Sequence, residues 1–399
     1  MRDLADLLDP VDVVDFFASH WERQPLHVRR GRPDAHAELV GIDDLEAVIA
    51  ATPRDAPDDS AHGAVATATT IDGVTTRGSL PVDRTGQVSP AGVYAALAAG
   101  KSIVVRHLRR SWPPIAALCA GVEAGLRQPV SANLFLTPPG ATAFPAHHDT
   151  ADVFFVQIEG TKVWEIHEPR TELPWGQPAG DSEPQMTLGP PLTVVLEPGD
   201  VLFLPRGWIH RGSSGPEASL HVTVGTQPIC WIDILDALLR RAAADDVELR
   251  RAVPLHDPES STSSAVETHL ERLLDRLPAS SGDDALTEVL VGILGDLPAP
   301  MSGRIRQIIE PPVIHDDTVL EMRAGLGPVV RIGPSGAGIH VAGGHVTGPT
   351  EAGPALRWVA ERRTFRVGSL PLDATGRHEL ARVLLLEGLA SVRRGRGDD

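Results

Sequence analysis

The stretch FPAHHDTADVFFVQIEGTKVWEI, residues 144–166, together with LEPGDVLFLPRGWIHRG, residues 196–212, decides the interpretation of this chain. The first segment contains a His-x-Asp pair, His147 and Asp149, and the second contains His210, about 60 residues later. Two imidazoles and one carboxylate, without a thiolate, are the ligand set of a mononuclear non-haem Fe(II) site with open positions. The sequence therefore predicts an iron site formed by these three residues.

The first segment has the composition of a β-strand, because β-branched and aromatic residues fill positions 153–158. Side chains two residues apart on a strand point to the same side. We therefore expect His147 and Asp149 to share a strand and face one ion, with His148 on the opposite side. The pattern alone also allows an inert barrel in which this His-x-Asp pair binds nothing.

The second segment begins with a turn signal at residues 197–200, Glu-Pro-Gly-Asp. The apolar residues 201–204 then predict a strand, and His210 follows an Arg-Gly turn. A hairpin-like return of this length would bring His210 beside the first pair inside a β-barrel.

Lys162 has two interpretations that the spacing leaves open. Gly160 predicts a tight turn and Val163-Trp164 a new strand, so Lys162 could be a solvated lysine at a hairpin end. It could instead point into the barrel and pair with a carboxylate of a bound cosubstrate, because an inward cation without a partner is costly.

A longer stretch resembles a known family. SANLFLTPPGATAFPAHHDTADVFFVQIEGTKVWEIHEP (131–169), with PGDVLFLPRGWIHRG (198–212) and SLHVTVGT (219–226), resembles the JmjC-type ribosomal oxygenases. These are 2-oxoglutarate-dependent hydroxylases of ribosomal proteins in the cupin superfamily. Residues 16–30 and 88–119 resemble the family more weakly. The resemblance implies an α+β chain built on a double-stranded β-helix (cupin/JmjC) barrel.

Carried over by position, the family's iron ligands fall on His147, Asp149 and His210. Its basic residue for the distal carboxylate of 2-oxoglutarate falls on Lys162, and O2 is the second cosubstrate. Asn133 and Thr223 match positions near the cosubstrate, although ordinary strand residues would also fit there. We expect His221, on the same strand face as Thr223, to be a barrel histidine with its hydrogen bonds made. No catalytic side chain is predicted beyond the metal ligands.

The substrate is less constrained than the chemistry. Lysine at the position of Lys162 is usual in the histidine-hydroxylating branch of the family, whereas the bacterial arginine hydroxylase has arginine there. This favours histidine over arginine of a ribosomal protein as the target. A non-ribosomal peptide or a small molecule remains an alternative, as does a non-catalytic cupin scaffold or regulator.

The composition sets further limits. The chain has 399 residues, of which 42% are hydrophobic and two are cysteines, too few for a disulfide framework. It shows no signal peptide and no apolar run of membrane-spanning length, so we expect a cytoplasmic protein without membrane contact. The formal net charge of −17 disfavours nucleic-acid binding and suits a basic protein substrate.

The pattern divides the chain into three parts. We expect the catalytic domain with its N-terminal helices at residues 1–226. Residues 227–310 have helical periodicity and resemble the family's dimerisation region, which implies a homodimer. Residues 311–399 mix short strands with helices and resemble its winged-helix-like C-terminal domain. Within that domain we predict a helix that begins after Asp373 and runs through Val392.

Overall fold

The chain forms two compact units, Met1–Pro228 and Ile229–Asp399. The structure, a computed structural model, describes residues 3–53, 63–72, 74–84, 86–176, 188–254, 256, 262–275, 282–298, 304–323, 325, 327–333 and 335–393. None of the described helices combines the length and the apolar character that a membrane crossing requires.

The first unit places short helices before and between the strands of two antiparallel sheets. Its helices are α1 (Leu4–Leu8), α2 (Val13–Ser19), α3 (Leu45–Ala51), α4 (Pro90–Ala98), α5 (Leu108–Ser111) and α6 (Pro113–Leu126). Its strands are β1 (Leu26–Val28), β2 (Val65–Ile71), β3 (Val74–Ser79), β4 (Ser102–Val105), β5 (Val130–Thr137), β6 (Asp152–Glu159), β7 (Lys162–His167), β8 (Leu192–Leu196), β9 (Val201–Leu204), β10 (Ile209–Ser214) and β11 (Ser219–Thr226).

The larger sheet has eight strands in the order β1-β9-β6-β11-β5-β4-β2-β3, and the smaller has three in the order β10-β7-β8. Strand β11 lies between β5 and β6, so that Thr223 is opposite both Asn133 and Phe155. In the small sheet His210 is opposite Ile166. This register brings the predicted site residues of β5, β7, β10 and β11 toward one interior.

Alternation along the strands separates two apolar clusters. Phe154 and Val156 of β6 join the large core that packs the big sheet against the N-terminal helices. Val153 and Phe155 of the same strand join a second cluster with Trp164 of β7 and with residues of β8 and β9. Because successive side chains of a strand point to opposite faces, the second cluster marks the interior between the two sheets.

Two glycines make the turns that close this arrangement. Gly160, between β6 and β7, has φ +61°, and a Cβ there would lie 1.9 Å from the carbonyl oxygen of Ala218. Gly199, before β9, has φ +91°, and its Cβ would lie 2.1 Å from the carbonyl oxygen of Arg32. Only glycine combines positive φ with so close an approach of another backbone segment.

The second unit is mixed in secondary structure. It has helices α7 (Trp231–Asp245), α8 (Ser263–Leu274), α9 (Gly282–Asp296), α10 (Arg304–Ile309), α11 (Gly353–Ala360) and α12 (Ala374–Leu386). Its strands β12 (Val319–Met322), β16 (Thr364–Arg366) and β17 (Ala390–Val392) form one sheet, and β13 (Val329–Gly333), β14 (Gly336–Val341) and β15 (Gly344–Gly348) form another.

The predicted helix through Val392 is wrong at its end. Helix α12 is capped by Asp373, as expected, but it stops at Leu386, and residues 390–392 form strand β17 beside β12. Gly388 has φ +75°, a conformation that ends helices. The apolar residues after it therefore pair with a sheet rather than extend the helix.

Candidate metal centre

The two segments that carry the candidate ligands are joined by their backbones. The N–H of His147 donates to the carbonyl of His210 at 3.1 Å, and the N–H of His210 donates to the carbonyl of His147 at 2.8 Å. The expectation that His147 and Asp149 share a strand is wrong, because β6 begins at Asp152 and His147 forms only an isolated bridge. This bridge, rather than strand alternation, sets the pair against His210.

The three candidate ligands converge. One ligand atom from each of His147, Asp149 and His210 lies within 4.8 Å of the others. The Nε2 of His147 is 4.0 Å from one carboxylate oxygen of Asp149, and the Nε2 of His210 is 3.6 Å from the other. Among the residues that the structure describes, no other group of three such side chains meets this criterion. The predicted set is therefore brought together as a group that could hold a metal ion.

Both imidazoles are oriented by the same device. The Nδ1–H of His147 donates to the carbonyl of Pro145 at 2.8 Å, and the Nδ1–H of His210 donates to the carbonyl of Trp208 at 3.0 Å. A carbonyl can only accept, so each ring carries its proton on Nδ1 and presents the lone pair of Nε2. Backbone carbonyls commonly fix metal-binding histidines in this way.

The electrostatics keep His210 in the form that binds a metal. Burial, followed by the nearby His147, lowers the pKa of His210 to about 4. Its ring is therefore neutral at physiological pH, as metal coordination requires. Two imidazoles and a carboxylate, without a thiolate, fit Fe(II) and similar first-row divalent ions.

The site opens on one side. The side chains of His147 and Asp149 are 22% and 30% exposed, whereas that of His210 is 3% exposed. The ring of Phe144 lies 5.8 Å from that of His147, and Phe155 and Trp164 lie 5.4 and 5.8 Å from that of His210, centre to centre. A substrate would thus approach over His147 and Asp149, while apolar rings enclose His210.

Lys162 points into the barrel. It is 2% exposed, and its ammonium donates to the hydroxyl of Thr137 at 2.8 Å and lies 5.8 Å from the ring centre of Trp164. No carboxylate of the described residues forms an ion pair with it. Burial therefore lowers the pKa of Lys162 to about 7. Of the two interpretations that the sequence allowed, the structure favours the inward cation.

Two more buried polar groups lie on β11. Thr223 is buried, and its hydroxyl has no hydrogen-bond partner in the described structure. His221 was expected to have its hydrogen bonds made, but its Nδ1 has no partner either. Its ring stacks on Phe135 at 4.9 Å, and burial, followed by Lys162, lowers its pKa well below the usual value. Buried polar atoms without a partner are uncommon in folded proteins and call for an explanation such as a bound ligand or water.

Asn133 has a different partner. Its side-chain oxygen accepts from the backbone N–H of His107 at 3.2 Å, which ties β5 to the start of α5. The structure thus places Asn133 opposite Thr223 and gives it a structural hydrogen bond as well.

Sequence reasoning missed two groups that the structure adds. Thr137, the partner of Lys162, lies four residues after Asn133, so strand alternation alone could have identified it. Trp164, whose buried Nε1 has no hydrogen-bond partner in the described structure, lies two residues after Lys162 and could have been found in the same way.

Comparisons with known proteins found several that are similar to this chain. Residues 114–234 match the JmjC domain family. The chain is 28% identical over 306 residues to the "Bifunctional lysine-specific demethylase and histidyl-hydroxylase NO66" of Aedes aegypti, covering 71% of this chain and 46% of that protein. It is 33% identical over 259 residues to "Ribosomal oxygenase 1" of Gallus gallus, covering 62% of this chain and 41% of that protein. The chain thus spans less than half the length of these relatives.

Solved structures share the fold. The Escherichia coli ribosomal oxygenase YcfD in complex with cobalt and 2-oxoglutarate aligns with a TM-score of 0.57 and 16% identity, over 96% of this chain and 99% of that one. Another structure of E. coli ycfD aligns with a TM-score of 0.59. Residues 114–234 are similar to the JmjC domain family and the chain has the JmjC/cupin fold, so the predicted resemblance to the JmjC-type ribosomal oxygenases is confirmed.

Proposed function

We propose that this JmjC-domain chain is an Fe(II)- and 2-oxoglutarate-dependent dioxygenase that hydroxylates a protein side chain. The observation that carries the proposal is the combination of two features in one barrel. One is a group of two imidazoles and one carboxylate with both Nε2 lone pairs directed by backbone carbonyls. The other is a buried lysine without an anionic partner among the described residues.

We assign His147, Asp149 and His210 as the iron ligands. Their donor types suit Fe(II), and three protein ligands leave the remaining positions for 2-oxoglutarate and O2. Bound together, these groups supply the activation of O2 and the oxidation of a substrate C–H bond. The chain's own share is to hold the two imidazoles in place and to keep water from the buried side of the site.

We assign Lys162 to the distal carboxylate of 2-oxoglutarate. A buried ammonium that has only the hydroxyl of Thr137 is costly, and a ligand carboxylate would compensate it. The partnerless hydroxyl of Thr223 supports a role near the same ligand. Asn133 lies opposite Thr223 on the neighbouring strand, so we assign it to the same subsite.

A ribosomal protein is the proposed substrate. The relatives are named as ribosomal oxygenase and histidyl-hydroxylase. A net charge of −17 would favour encounter with a basic protein. Lys162 favours histidine over arginine as the hydroxylated residue, on the family pattern. The two free cysteines suit the reducing cytoplasm, which is the proposed compartment.

The second unit supports a proposed homodimer. Helix α7 exposes Trp231, at 84%, together with Ile232, Leu235 and Leu239 on one side. Helix α10 exposes three isoleucines, Ile305, Ile308 and Ile309. Exposed apolar residues in such number are typical of interaction surfaces. We propose residues 227–310 as the dimerisation region and residues 311–399 as a winged-helix-like module that serves protein contacts rather than nucleic acid.

The chemistry can be tested before the substrate is known. Purified protein with Fe(II), O2 and 2-oxoglutarate should release succinate above the background without protein, and His210→Ala should remove that release. Fe(II) and 2-oxoglutarate binding would be measured alongside. Absence of both binding and succinate release from the wild type would favour a non-catalytic scaffold.

The substrate needs a cellular experiment. Ribosomal proteins from cells with and without the gene would be compared by mass spectrometry for one added oxygen on histidine or arginine. The modification should return with the wild type and not with His210→Ala. Its absence from every ribosomal protein would move the search to other peptides.

A further inference from the structure

A chain of three charged side chains runs from the N-terminal helices to the metal centre. Arg206 and Asp152 are buried, and the guanidinium of Arg206 lies 3.0 Å from the carboxylate of Asp152. The same guanidinium nitrogen lies 2.6 Å from the carboxylate of Glu22, just after α2, whose side chain is 36% exposed. We call Glu22, Arg206 and Asp152 the ion clamp.

The ion clamp holds the backbone on both sides of the metal centre. The backbone N–H of Arg206 donates to Asp152 at 2.9 Å, and the N–H of Gly207 donates to the carbonyl of Asp149 at 3.0 Å. Asp149 is a proposed ligand, three residues before Asp152. The turn at 205–208 is thereby fastened to the segment 149–152 at two points.

The same turn orients the third ligand. Trp208 lies two residues after Arg206, and its carbonyl accepts the Nδ1–H of His210. A shift of this turn would therefore move both the backbone of Asp149 and the group that fixes the ring of His210. His147 would follow, because its backbone is paired with that of His210.

The ion clamp costs free energy of folding. Burial raises the pKa of Asp152. The hydrogen bonds and the positive charge of Arg206 lower it, but by less. Buried ion pairs often contribute no net stability relative to apolar residues. In addition, Glu22 has φ +57°, an unfavourable conformation for a residue with a side chain. Strain and buried charge in one cluster beside a metal centre indicate a role other than stability.

We propose that the ion clamp is a positioning device for the metal centre, with Arg206 as its central residue. It fixes the distance between the segment of Asp149 and the turn before His210, and so sets the affinity and geometry of the bound ion. The inference rests on the proposed metal site but not on the identity of the substrate. Arg206 acts through the backbone and touches no reacting atom.

The chain offers a matched control. Arg109, which is half-buried, forms another ion pair with the buried Glu123, and the further hydrogen bonds of this pair go to the backbone of Val130 at the start of β5. Neither residue contacts the segments 145–152 or 205–210 in any described hydrogen bond. Loss of this pair should lower stability without reaching the metal centre.

The test is a Co(II) titration followed by the visible d–d absorption of the bound ion, with Tm measured on the same samples. We expect Arg206→Gln to weaken Co(II) binding by roughly 10- to 100-fold and to change the absorption bands, as loss of groups that orient metal ligands usually does. Arg206→Lys should recover part of the affinity, because lysine restores the positive charge but not the planar guanidinium group that contacts both carboxylates. Arg109→Gln should lower Tm and leave affinity and spectrum unchanged.

Each outcome bears on the inference. Wild-type affinity and spectrum in Arg206→Gln, or equal losses in Arg109→Gln, would overturn it while leaving the proposed function intact. If Arg206→Gln does not fold, Glu22→Gln decides, because Glu22 is partly exposed. That variant should weaken Co(II) binding several-fold, and an unchanged affinity and spectrum would reject the clamp. Failure of the wild type to bind Co(II) would instead reject the metal site itself and the inference with it.

Discussion

Replacing Lys162 with methionine should stabilise the protein while removing its affinity for 2-oxoglutarate. Methionine keeps most of the apolar stem of lysine and removes the charge together with the hydrogen bond to Thr137. Lys162 is buried, its ammonium has one hydrogen bond, to Thr137, and no carboxylate of the described residues pairs with it. The described residues thus supply no anion that compensates the charge of Lys162.

The expected gain in stability follows from the lowered pKa of Lys162. A pKa of about 7 for Lys162, against the ordinary 10.5, means that this group opposes folding by on the order of 4 kcal/mol at pH 7. The lost hydrogen bond to Thr137 takes back about 1 kcal/mol. The net gain of about 3 kcal/mol corresponds to a rise in Tm of roughly 6 to 12 °C for a unit of this size.

The lowered pKa of Lys162 also determines how the gain in stability depends on pH. Between pH 7 and 10.5 the unfolded lysine is protonated and the folded one is not, so the stability of the wild type rises with pH through this window. The difference in Tm between Lys162→Met and the wild type should therefore be largest at or below pH 7 and shrink toward pH 10.5.

Calorimetry without metal or 2-oxoglutarate would measure the effect. Lys101→Met is the matched control, since the sequence contains no other lysine than Lys101 and Lys162, and its Tm should change by no more than about 1 to 2 °C. With so few lysines, NMR of lysine labelled with ¹³C at Cε would also follow the titration of Lys162 directly. A Tm for Lys162→Met at or below that of the wild type would refute the reasoning.

Three further outcomes are expected. The Kd of the wild type for 2-oxoglutarate should rise about fivefold from pH 7 to pH 8 in isothermal titration, because the protonated fraction of Lys162 falls over that interval; a flat profile would contradict its pKa of about 7. His210→Ala should abolish succinate release but leave the circular-dichroism spectrum of the wild type, and turnover in that variant would rule out the ligand assignment. Gly160→Ala should lower Tm more than Gly140→Ala, since both glycines have positive φ but only at Gly160 would the new Cβ meet a carbonyl oxygen, at 1.9 Å; equal losses would show that the close approach to Ala218 relaxes without penalty.

The sequence predicted which three side chains lie together, but not how they are brought together. Two segments with the right donor types were identifiable because metal chemistry restricts residue types strongly. Strand alternation predicted that His147 and Asp149 lie close together, as they do, but both residues lie before β6 and share no strand. The bridge to His210 and the carbonyls that orient the rings are long-range or local backbone contacts that residue types do not encode.

Burial was the quantity that the sequence could not supply. Lys162 at a hairpin end fitted either solvent or interior, and only the register of β7 between β8 and β10 places it inward. The pairing of Asp152 with Arg206, more than 50 residues apart, likewise depends on tertiary contacts. In α12 the helical pattern continued past Leu386, and the competing sheet pairing of residues 390–392 was decided by β12.

With the proposed role of Lys162 in binding 2-oxoglutarate, its buried charge would also link the abundance of this protein to metabolism. An anion that binds only the folded form lowers the unfolded fraction, and that fraction is what cellular proteases degrade. Because the empty barrel is the less stable state, we expect the half-life of the protein in the cell to lengthen when 2-oxoglutarate is plentiful and to shorten when carbon supply falls. The same lysine that would bind the cosubstrate would then make the quantity of enzyme, and not only its rate, respond to nutrition.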